Sequence, residues 1–339
     1  MQSEKINKLF EKVTSSSKVK ECLLLIENTD GSLSCCKEYN RTVDTPMLMA
    51  SVTKLFTTAC ILALLKEEKL SLEDKIANYL EEDLMESLHV YKKNDYSFDL
   101  TIAHLLYQTS GLPDFFLDGA GAIFSKVKER DFAYSYEDEL GWIKSMEPIF
   151  APGTKSKAYY TDANFDLLGK IIEVINGSTL QQAYSKYIFE PLELKHTYLA
   201  TGQDDYIPHT YYKSEKMERP LFIRSSYASG GGITTARELM IFIKAFYSGK
   251  LFDQSVLSRL TISNPLQLAF FPIHYAGGYM TVKVSYPFGK KYTLMGHSGS
   301  TGSFAFYCPE KDLFFVGDAP LIDSPVGTRL VMRAALNIS

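Results

Sequence analysis

Residues 50–65 read ASVTKLFTTACILALL, and this stretch decides how the rest of the chain is interpreted. Its side chains are apolar on nearly every face of a helical wheel, and Lys54 is its only charged residue. A helix that is apolar all round is buried among other elements of a domain. We therefore predict a central, buried helix over residues 50–65.

Ser51 and Lys54 lie at the start of this predicted helix, three residues apart. Residues at that spacing share a helical face, so the Lys54 amine can reach the Ser51 hydroxyl. A buried lysine must be paired or lose its proton, and free N–H groups at a helix N-terminus stabilise an oxyanion. The pair is therefore typical of a nucleophile with a proton relay. The alternative is that Ser51 only caps the helix while Lys54 extends to solvent.

The pattern Ser-x-x-Lys alone is weak evidence, because it occurs five times, beginning at Ser15, Ser17, Ser34, Ser51 and Ser125. Three of these lie in polar, lysine-rich stretches. Ser34 begins a predicted strand, in which residues three apart point to opposite faces. The apolar helix therefore singles out Ser51.

Strand patterns stand at both ends of the chain. Near the N-terminus two apolar runs flank Asn28-Thr29-Asp30-Gly31, a turn signal that predicts a hairpin. Toward the C-terminus, a meander is predicted from the β-rich runs at residues 278–286, 291–296, 303–308 and 313–316. A final predicted helix follows it. Helical patterns dominate between the two ends. This order predicts fold class α+β, with an antiparallel sheet built from both termini, flanked by helices, and an inserted helical domain.

Composition limits the classes of function. The 339 residues include 36 Lys and Arg against 40 Asp and Glu, a formal net charge of −4, which argues against nucleic acid as a partner. No apolar run approaches the length of about 20 residues that spans a bilayer, and the first residues contain no signal-peptide pattern. We therefore expect a cytoplasmic protein, or an extracytoplasmic one if a leader has been removed.

Several cofactor and nucleophile motifs are missing from the sequence. It contains no Gly-x-Ser-x-Gly, HExxH, Walker A or GxGxxG pattern, and its six histidines are scattered singly. We expect neither a metal nor another cofactor.

Two further segments carry polar side chains suited to a site. Tyr160 stands two residues before Asp162 in a loop that enters a predicted helix, so a phenol and an acceptor are presented together. His297 begins His-Ser-Gly after a β-run, and the glycines that follow allow a substrate backbone to approach the strand edge. The alternatives are a tyrosine used for packing and a plain glycine-rich hairpin.

Taken in order, these segments resemble the motifs of the class C β-lactamase and DD-peptidase family, the β-lactamase-related serine hydrolases that include D-aminopeptidases and some esterases. Residues 51–54 resemble its Ser-x-x-Lys motif, 160–162 its Tyr-Ser-Asn motif and 297–299 its Lys-Thr-Gly or His-Thr-Gly motif. The resemblance runs from about residue 26 to residue 309. It implies a β-lactamase/DD-peptidase-like fold, with residues 1–77 and 228–339 forming the sheet-containing part, residues 78–227 a helical domain, and the active site at their interface.

The resemblance also implies roles for individual residues. Ser51 would form an acyl-enzyme, and Lys54 and Tyr160 would share the proton transfers. The backbone N–H groups of Ser51 and Ser300 would form an oxyanion hole. Substrate-binding positions would be Asp162, His297, Ser298, Gly299 and Ser300.

This chain departs from the family pattern at two positions. Asp162 stands where the family usually has asparagine, and its carboxylate would keep the Lys54 amine protonated, which makes Tyr160 the stronger candidate for the base. His297 replaces lysine and is mostly neutral at pH 7, so recognition of a substrate carboxylate should weaken. We therefore expect inefficient β-lactam hydrolysis, with a DD-peptidase-like, D-amino-acid peptidase-like or esterase activity on a small molecule or short peptide as the alternatives.

Two functional hypotheses remain. The first is a serine hydrolase that cleaves an amide, β-lactam or ester through an acyl-enzyme. The second is a non-catalytic, penicillin-binding-like module that binds a peptide or acyl ligand, with Asp162 marking lost activity. The intact set of Ser51, Lys54 and Tyr160 favours the first.

Overall fold

The computed structural model describes residues 2–118, 122–286 and 289–338. In chain order the strands are β1 (Cys22–Glu27), β2 (Ser34–Tyr39), β3 (Met47–Leu48), β4 (Val90–Tyr91), β5 (Asn94–Asp95), β6 (Tyr198–Leu199), β7 (Thr210–Tyr212), β8 (Glu215–Met217), β9 (Gly232–Thr234), β10 (Asn264–Pro265), β11 (Ile273–Tyr275), β12 (Met280–Ser285), β13 (Lys291–Ser298), β14 (Ser303–Cys308) and β15 (Leu313–Asp318). The α-helices are α1 (Gln2–Thr14), α2 (Thr53–Lys66), α3 (Glu82–Met85), α4 (Ile102–Leu106), α5 (Ile123–Glu129), α6 (Tyr136–Lys144), α7 (Ala163–Asn176), α8 (Leu180–Tyr184), α9 (Glu190–Leu192), α10 (Pro220–Ser225), α11 (Tyr227–Gly230), α12 (Ala236–Ser248), α13 (Gln254–Arg259) and α14 (Val326–Asn337).

The main sheet joins the two ends of the chain, as the strand patterns predicted. Its order is β10-β11-β12-β13-β14-β15-β1-β2, and every neighbouring pair is antiparallel. The N-terminal hairpin pairs Leu25 with Cys36, and the same Leu25 faces Val316 on the C-terminal side. Strand β15 is buried along its whole length, so both faces of the sheet are covered at this point.

The apolar stretch at residues 50–65 forms the central helix. It begins as a 3₁₀ turn, Ala50–Val52, and continues as α2, whose first twelve residues are all buried. Helix α2 packs against α7, α11 and strand β13. It thereby connects the helical region to the sheet, and the prediction of a central, buried helix is confirmed.

Short strands fix the ends of the long elements near Ser51. Strand β9 pairs with β3, which directly precedes the Ser51 turn, and with β6. The backbone N–H of Met49 also donates to the carbonyl of Gly232 at 2.9 Å. The division of the chain at residues 77/78 and 227/228 stays a prediction.

Candidate active site

The Ser51 turn is held in an unusual backbone conformation. Ala50 has a φ of +44°, in the left-handed region that residues with a Cβ atom rarely adopt. The Ser303 hydroxyl donates to the carbonyl of Met49 at 2.7 Å and fixes the turn from the sheet side. Strained backbone of this kind persists where surrounding structure enforces it, and it clusters at functional sites.

Lys54 lies one helical turn after Ser51 and is completely buried. Its Nζ contacts three oxygens, which are Ser51 Oγ at 3.4 Å, Asp162 Oδ1 at 2.5 Å and the carbonyl of Ser229 at 2.8 Å. A lysine ammonium has three N–H donors, so all of them have an acceptor. The alternative in which Lys54 extends to solvent is therefore wrong. Ser51 is also not a side-chain cap, because the N-cap residue of α2 is Val52 and no side chain caps the helix.

Asp162 reaches Lys54 from the start of the neighbouring helix. It occupies the N-cap position of α7, but its side chain accepts no capping hydrogen bond there and forms the ion pair with Lys54 instead. The loop before it is held by the Gln108 side chain, which donates to the Thr161 carbonyl at 3.0 Å and accepts from the Thr161 N–H at 3.1 Å. The predicted contact between this carboxylate and the lysine is present. Gln108 carried no signal in the sequence.

Tyr160 lies on the other side of the lysine. Its ring centroid is 5.0 Å from Lys54 Nζ and 6.0 Å from the centre of the His297 ring. Within the described residues its buried hydroxyl has no hydrogen-bond partner. Burial, followed by the negative charge of Asp162, raises the pKa of Tyr160 well above its ordinary value. This direction runs against the hypothesis that Tyr160 serves as a resting phenolate base.

The Tyr160 backbone and ring are fixed by one neighbouring segment. The side-chain amide of Gln267 accepts from the Tyr160 N–H at 2.9 Å and donates to its carbonyl at 3.3 Å. The Phe270 ring lies 5.0 Å from the Tyr160 ring, centre to centre. Nothing in the sequence pattern pointed to this segment, because it lies more than a hundred residues further along the chain.

A second buried carboxyl stands behind the ion pair. Asp166, one turn after Asp162 on α7, accepts from the N–H of Ser229 at 2.8 Å, the same residue whose carbonyl accepts from Lys54. Burial, followed by the charge of Asp162, raises the pKa of Asp166 to about 7. Burial also raises the pKa values of Asp114 and Glu139 well above their usual range. The spacing of four between Asp162 and Asp166 was a signal that sequence reasoning missed.

His297 lies in β13 and is fully buried. Its Nδ1 is 2.9 Å from the carbonyl of Ser298, which can only accept, so Nδ1 carries the proton. Nε2 then accepts from the Tyr275 hydroxyl at 3.3 Å. Burial, followed by the positive charge of Lys54, lowers the pKa of His297 to about 3. The ring is therefore neutral at physiological pH.

Strand β13 ends at Ser298, whose hydroxyl lies 3.9 Å from Met280 Sδ, and the turn that follows brings Gly299 and Ser300 to the Ser51 turn. A Cβ atom on Gly299 would lie 2.6 Å from the carbonyl oxygen of Met49, so only glycine allows this close approach. Ser300 lines the same cavity as Ser51 and Asp162. Its N–H donates no hydrogen bond to any described residue, and the role of Ser300 in an oxyanion hole stays a prediction.

The structure also bears on metal binding and on membrane insertion. Among the residues that the structure describes, no group of three or more His, Cys, Asp or Glu side chains is arranged to hold a metal ion. None of the described helices is both long and apolar enough to cross a membrane.

Solved structures with the same fold cover nearly the whole chain. A D-stereospecific amidohydrolase from Streptomyces sp. superposes with a TM-score of 0.81 at 21% identity, over 97% of each chain. A D-amino acid amidase from Ochrobactrum anthropi SV3 gives a TM-score of 0.78 at 18% identity, over 97% of this chain and 99% of the other. The predicted fold class is thereby confirmed.

Curated relatives match about half of this chain. Esterase EstB of Burkholderia gladioli is 29% identical over 164 residues, which are 45% of this chain and 38% of that protein. A putative D-alanyl-D-alanine carboxypeptidase of Escherichia coli O157:H7 is 31% identical over 176 residues, 50% of this chain and 37% of that protein. The match thus spans well under two thirds of the length of these relatives.

The family itself is defined by a match over most of the chain. Residues 37–317 match the family described as Beta-lactamase, a range that includes Ser51, Tyr160 and His297. The resemblance seen in the ordered motifs is confirmed, and this chain belongs to the Beta-lactamase family.

Proposed function

We propose that this chain is a serine hydrolase that cleaves an amide or ester through an acyl-enzyme on Ser51. The observation that carries the proposal is the Ser51 hydroxyl lying 3.4 Å from a fully buried lysine whose amine is fixed by Asp162 and Ser229. A nucleophilic hydroxyl needs a neighbouring group that takes its proton, and that group needs a third to orient it. The names of the relatives, an esterase, a carboxypeptidase and D-amino acid amidases, support the same reaction class.

The proton path follows from the contacts. A proton of Lys54 passes to Asp162 across their 2.5 Å contact, and the freed amine takes the proton of Ser51 as its oxygen bonds to the carbonyl carbon. Tyr160, whose raised pKa keeps it protonated, gives its proton to the departing nitrogen or oxygen and recovers one from Lys54. Water then attacks the acyl carbon while Lys54, neutral after returning a proton to Tyr160, takes a proton from the water and passes it to the departing Ser51 oxygen. The acid leaves, and Asp162 returns its proton to Lys54, which restores the resting ion pair.

The substrate proposed here is a small molecule or short peptide that needs no carboxylate clamp at His297. A neutral ring whose two nitrogens are both engaged by Ser298 and Tyr275 offers no cation to a C-terminal carboxylate. We therefore place β-lactams and D-alanyl-D-alanine peptides below simple amides and esters as substrates. The predicted domain division belongs to this proposal, since Ser51 and Ser300 would come from one part and Tyr160 and Asp162 from the other. The cytoplasmic location stays a prediction.

The test is intact-mass spectrometry after incubation with a fluorophosphonate and, separately, with a penicillin. We expect one fluorophosphonate adduct on the native chain and none on Ser51→Ala, with slow or absent labelling by penicillin. Ser226→Ala is the matched control and should label as wild type does, because it removes another hydroxyl that lines the same cavity and has no role in the proposed site. Absence of any adduct on folded protein would reject the hydrolase and favour the non-catalytic binding module.

A further inference from the structure

A cavity beside Ser51 has a composition that points to one class of acyl group. It is a narrow cavity of about 50 Å³, and Ser51, Asp162 and Ser300 line it. Most of its other walls are apolar side chains, including Phe116, Val127, Met217, Phe222 and Ile322. The negative charge of Asp162 is balanced by Lys54, so the region next to the nucleophile carries no net charge.

Arg219 stands in the same wall and brings a positive charge into it. Its Nε donates to the carbonyl of Val127 at 2.5 Å, Nη1 to that of Glu218 at 2.8 Å and Nη2 to that of Lys128 at 3.2 Å. A guanidinium has five N–H donors, so one remains on each terminal nitrogen. The carbonyls fix the orientation of the group without neutralising its charge.

No carboxylate of the described residues pairs with Arg219. Among all the residues that the structure describes, the arginines that contact a carboxylate are Arg41 and Arg237. Asp131, on the loop after α5, instead accepts from the backbone N–H groups of Leu221 and Phe222. Arg219 is partly buried beside these apolar walls, and an unpaired guanidinium there attracts an anion more strongly than one fully in water, because the local dielectric constant is lower.

The position of Tyr160 indicates which half of the substrate meets Arg219. The group that protonates a leaving atom must lie beside that atom. Tyr160 and His297 are not among the residues that line this cavity, whereas Ser51 and Ser300 are. We therefore assign the cavity to the acyl side of the scissile bond rather than the leaving-group side.

We propose that the preferred acyl group is an apolar chain that ends in a carboxylate, so that the substrate is a half-ester or half-amide of a dicarboxylic acid. The chain would lie along the apolar walls, and its terminal carboxylate would accept the two remaining N–H groups of Arg219. Guanidinium and carboxylate match in this geometry. This inference rests on the proposed acyl-enzyme chemistry of Ser51.

A purely structural role for Arg219 predicts a different result. Two of its acceptors belong to the last turn of α5, where a cation stabilises the helix C-terminus. Loss of that role would lower the hydrolysis of every substrate together. Loss of anion recognition would change the ratio between charged and neutral substrates.

The test compares the 4-nitrophenyl monoesters of hexanedioic to nonanedioic acids with the same compounds carrying a methylated carboxylate. We expect wild type to favour the free acid at the best chain length, and Arg219→Met to reduce the ratio of kcat/KM values roughly 10- to 100-fold. Arg219→Lys keeps the positive charge but lacks the paired N–H donors of the guanidinium, so its ratio should lie between those of wild type and Arg219→Met. Arg224→Met is the matched control, since Arg224 is also held by backbone carbonyls but lines a different cavity, and its ratio should stay at the wild-type value.

A binding measurement separates failure of this inference from failure of the hydrolase proposal. Calorimetric titration of Ser51→Ala with the monoamides of the same diacids needs no turnover, and the second substitution Arg219→Met should weaken binding by a similar factor. Turnover with an equal ratio in wild type and Arg219→Met would overturn the acyl-group inference and leave the acyl-enzyme intact. Absence of Arg219-dependent binding would overturn it whether or not any ester is cleaved.

Discussion

The two sides of the Ser51 site differ in how their polar groups are satisfied. On one side, Lys54 is charged, fully buried and bonded to Asp162, Ser229 and Ser51. On the other, Tyr160 and His297 are neutral, and both His297 nitrogens are hydrogen-bonded, but the Tyr160 hydroxyl has no partner among the described residues. Buried polar groups are normally hydrogen-bonded, so an unpartnered one calls for an explanation. The difference indicates that the hydrogen bonds of the lysine side are complete without substrate, whereas on the tyrosine side the Tyr160 hydroxyl is left for the substrate to contact.

The largest effect on activity is expected from a substitution on the lysine side. Lys54→Met removes the group that takes the Ser51 proton, and we expect kcat/KM for an ester to fall roughly 1,000-fold, within the range for general acid–base catalysis. Lys66→Met, at the exposed end of the same helix α2, is the control and should behave as wild type. Turnover of Lys54→Met close to wild type, on protein that melts cooperatively, would assign the base to another group.

On the tyrosine side, a substitution should lower activity without changing stability. Tyr160→Phe removes a hydroxyl that has no partner in the described residues, so we expect kcat to fall roughly 100-fold while the free energy of unfolding is unchanged. Tyr184→Phe is the reverse case, because the Tyr184 hydroxyl lies 2.6 Å from Thr57 Oγ1, away from the site. It should cost about 1 kcal/mol of stability and leave turnover intact.

Urea denaturation and ester hydrolysis, measured on both tyrosine variants, complete this test. A Tyr160→Phe protein that loses stability but keeps its turnover would show that the hydroxyl serves packing, the alternative left open by the sequence.

How far the sequence predicts this site depends on the sequence distance between interacting groups. Helical periodicity alone predicts that Ser51 and Lys54 meet, and motif order predicts that Asp162 joins them. The amides of Gln108 and Gln267 hold the loop of Tyr160 and Asp162, but their contacts arise from the tertiary packing of distant segments and leave no periodic signal. The sequence therefore predicts the reacting groups better than the residues that hold them.

Short strands illustrate the same limit for the fold. The long runs of alternating or buried residues predict β12 to β15, but β10 and β11 contain two and three residues and have no comparable pattern. They are strands because β12 offers a free edge for pairing, which is a property of the assembled sheet.

Asp166, which lies behind the Lys54–Asp162 ion pair on the lysine side, should make stability depend on pH. Its folded pKa of about 7 lies above the value of about 3.9 for an unfolded aspartate, so the folded chain binds more protons between these limits. The contribution of Asp166 to the free energy of unfolding then falls as pH rises from about 4 to about 7. Asp166→Asn mimics the protonated carboxyl, so its stability relative to wild type should increase over that range by more than about 1.4 kcal/mol, the equivalent of one pKa unit.

Urea titrations at several pH values measure this difference, with the exposed Asp204→Asn as control. A constant difference between Asp166→Asn and wild type across the range would mean that Asp166 is ionised in the fold. The lysine side would then hold two buried negative charges beside one lysine, and its charges would no longer balance.

The smallest effect is expected at His297, where the prediction is that nothing titrates. Burial and the Lys54 charge lower its pKa to about 3, so the ring should stay neutral, with the proton on Nδ1, from about pH 5 to pH 8. Carbon-13 and nitrogen-15 shifts of the labelled ring, assigned by comparison with His297→Gln, report both the charge and the tautomer. Free imidazole titrated under the same conditions serves as the reference. An inflection of the His297 signals near pH 6.5 would make the tyrosine side chargeable, and a substrate carboxylate would then have a second cation to choose besides Arg219.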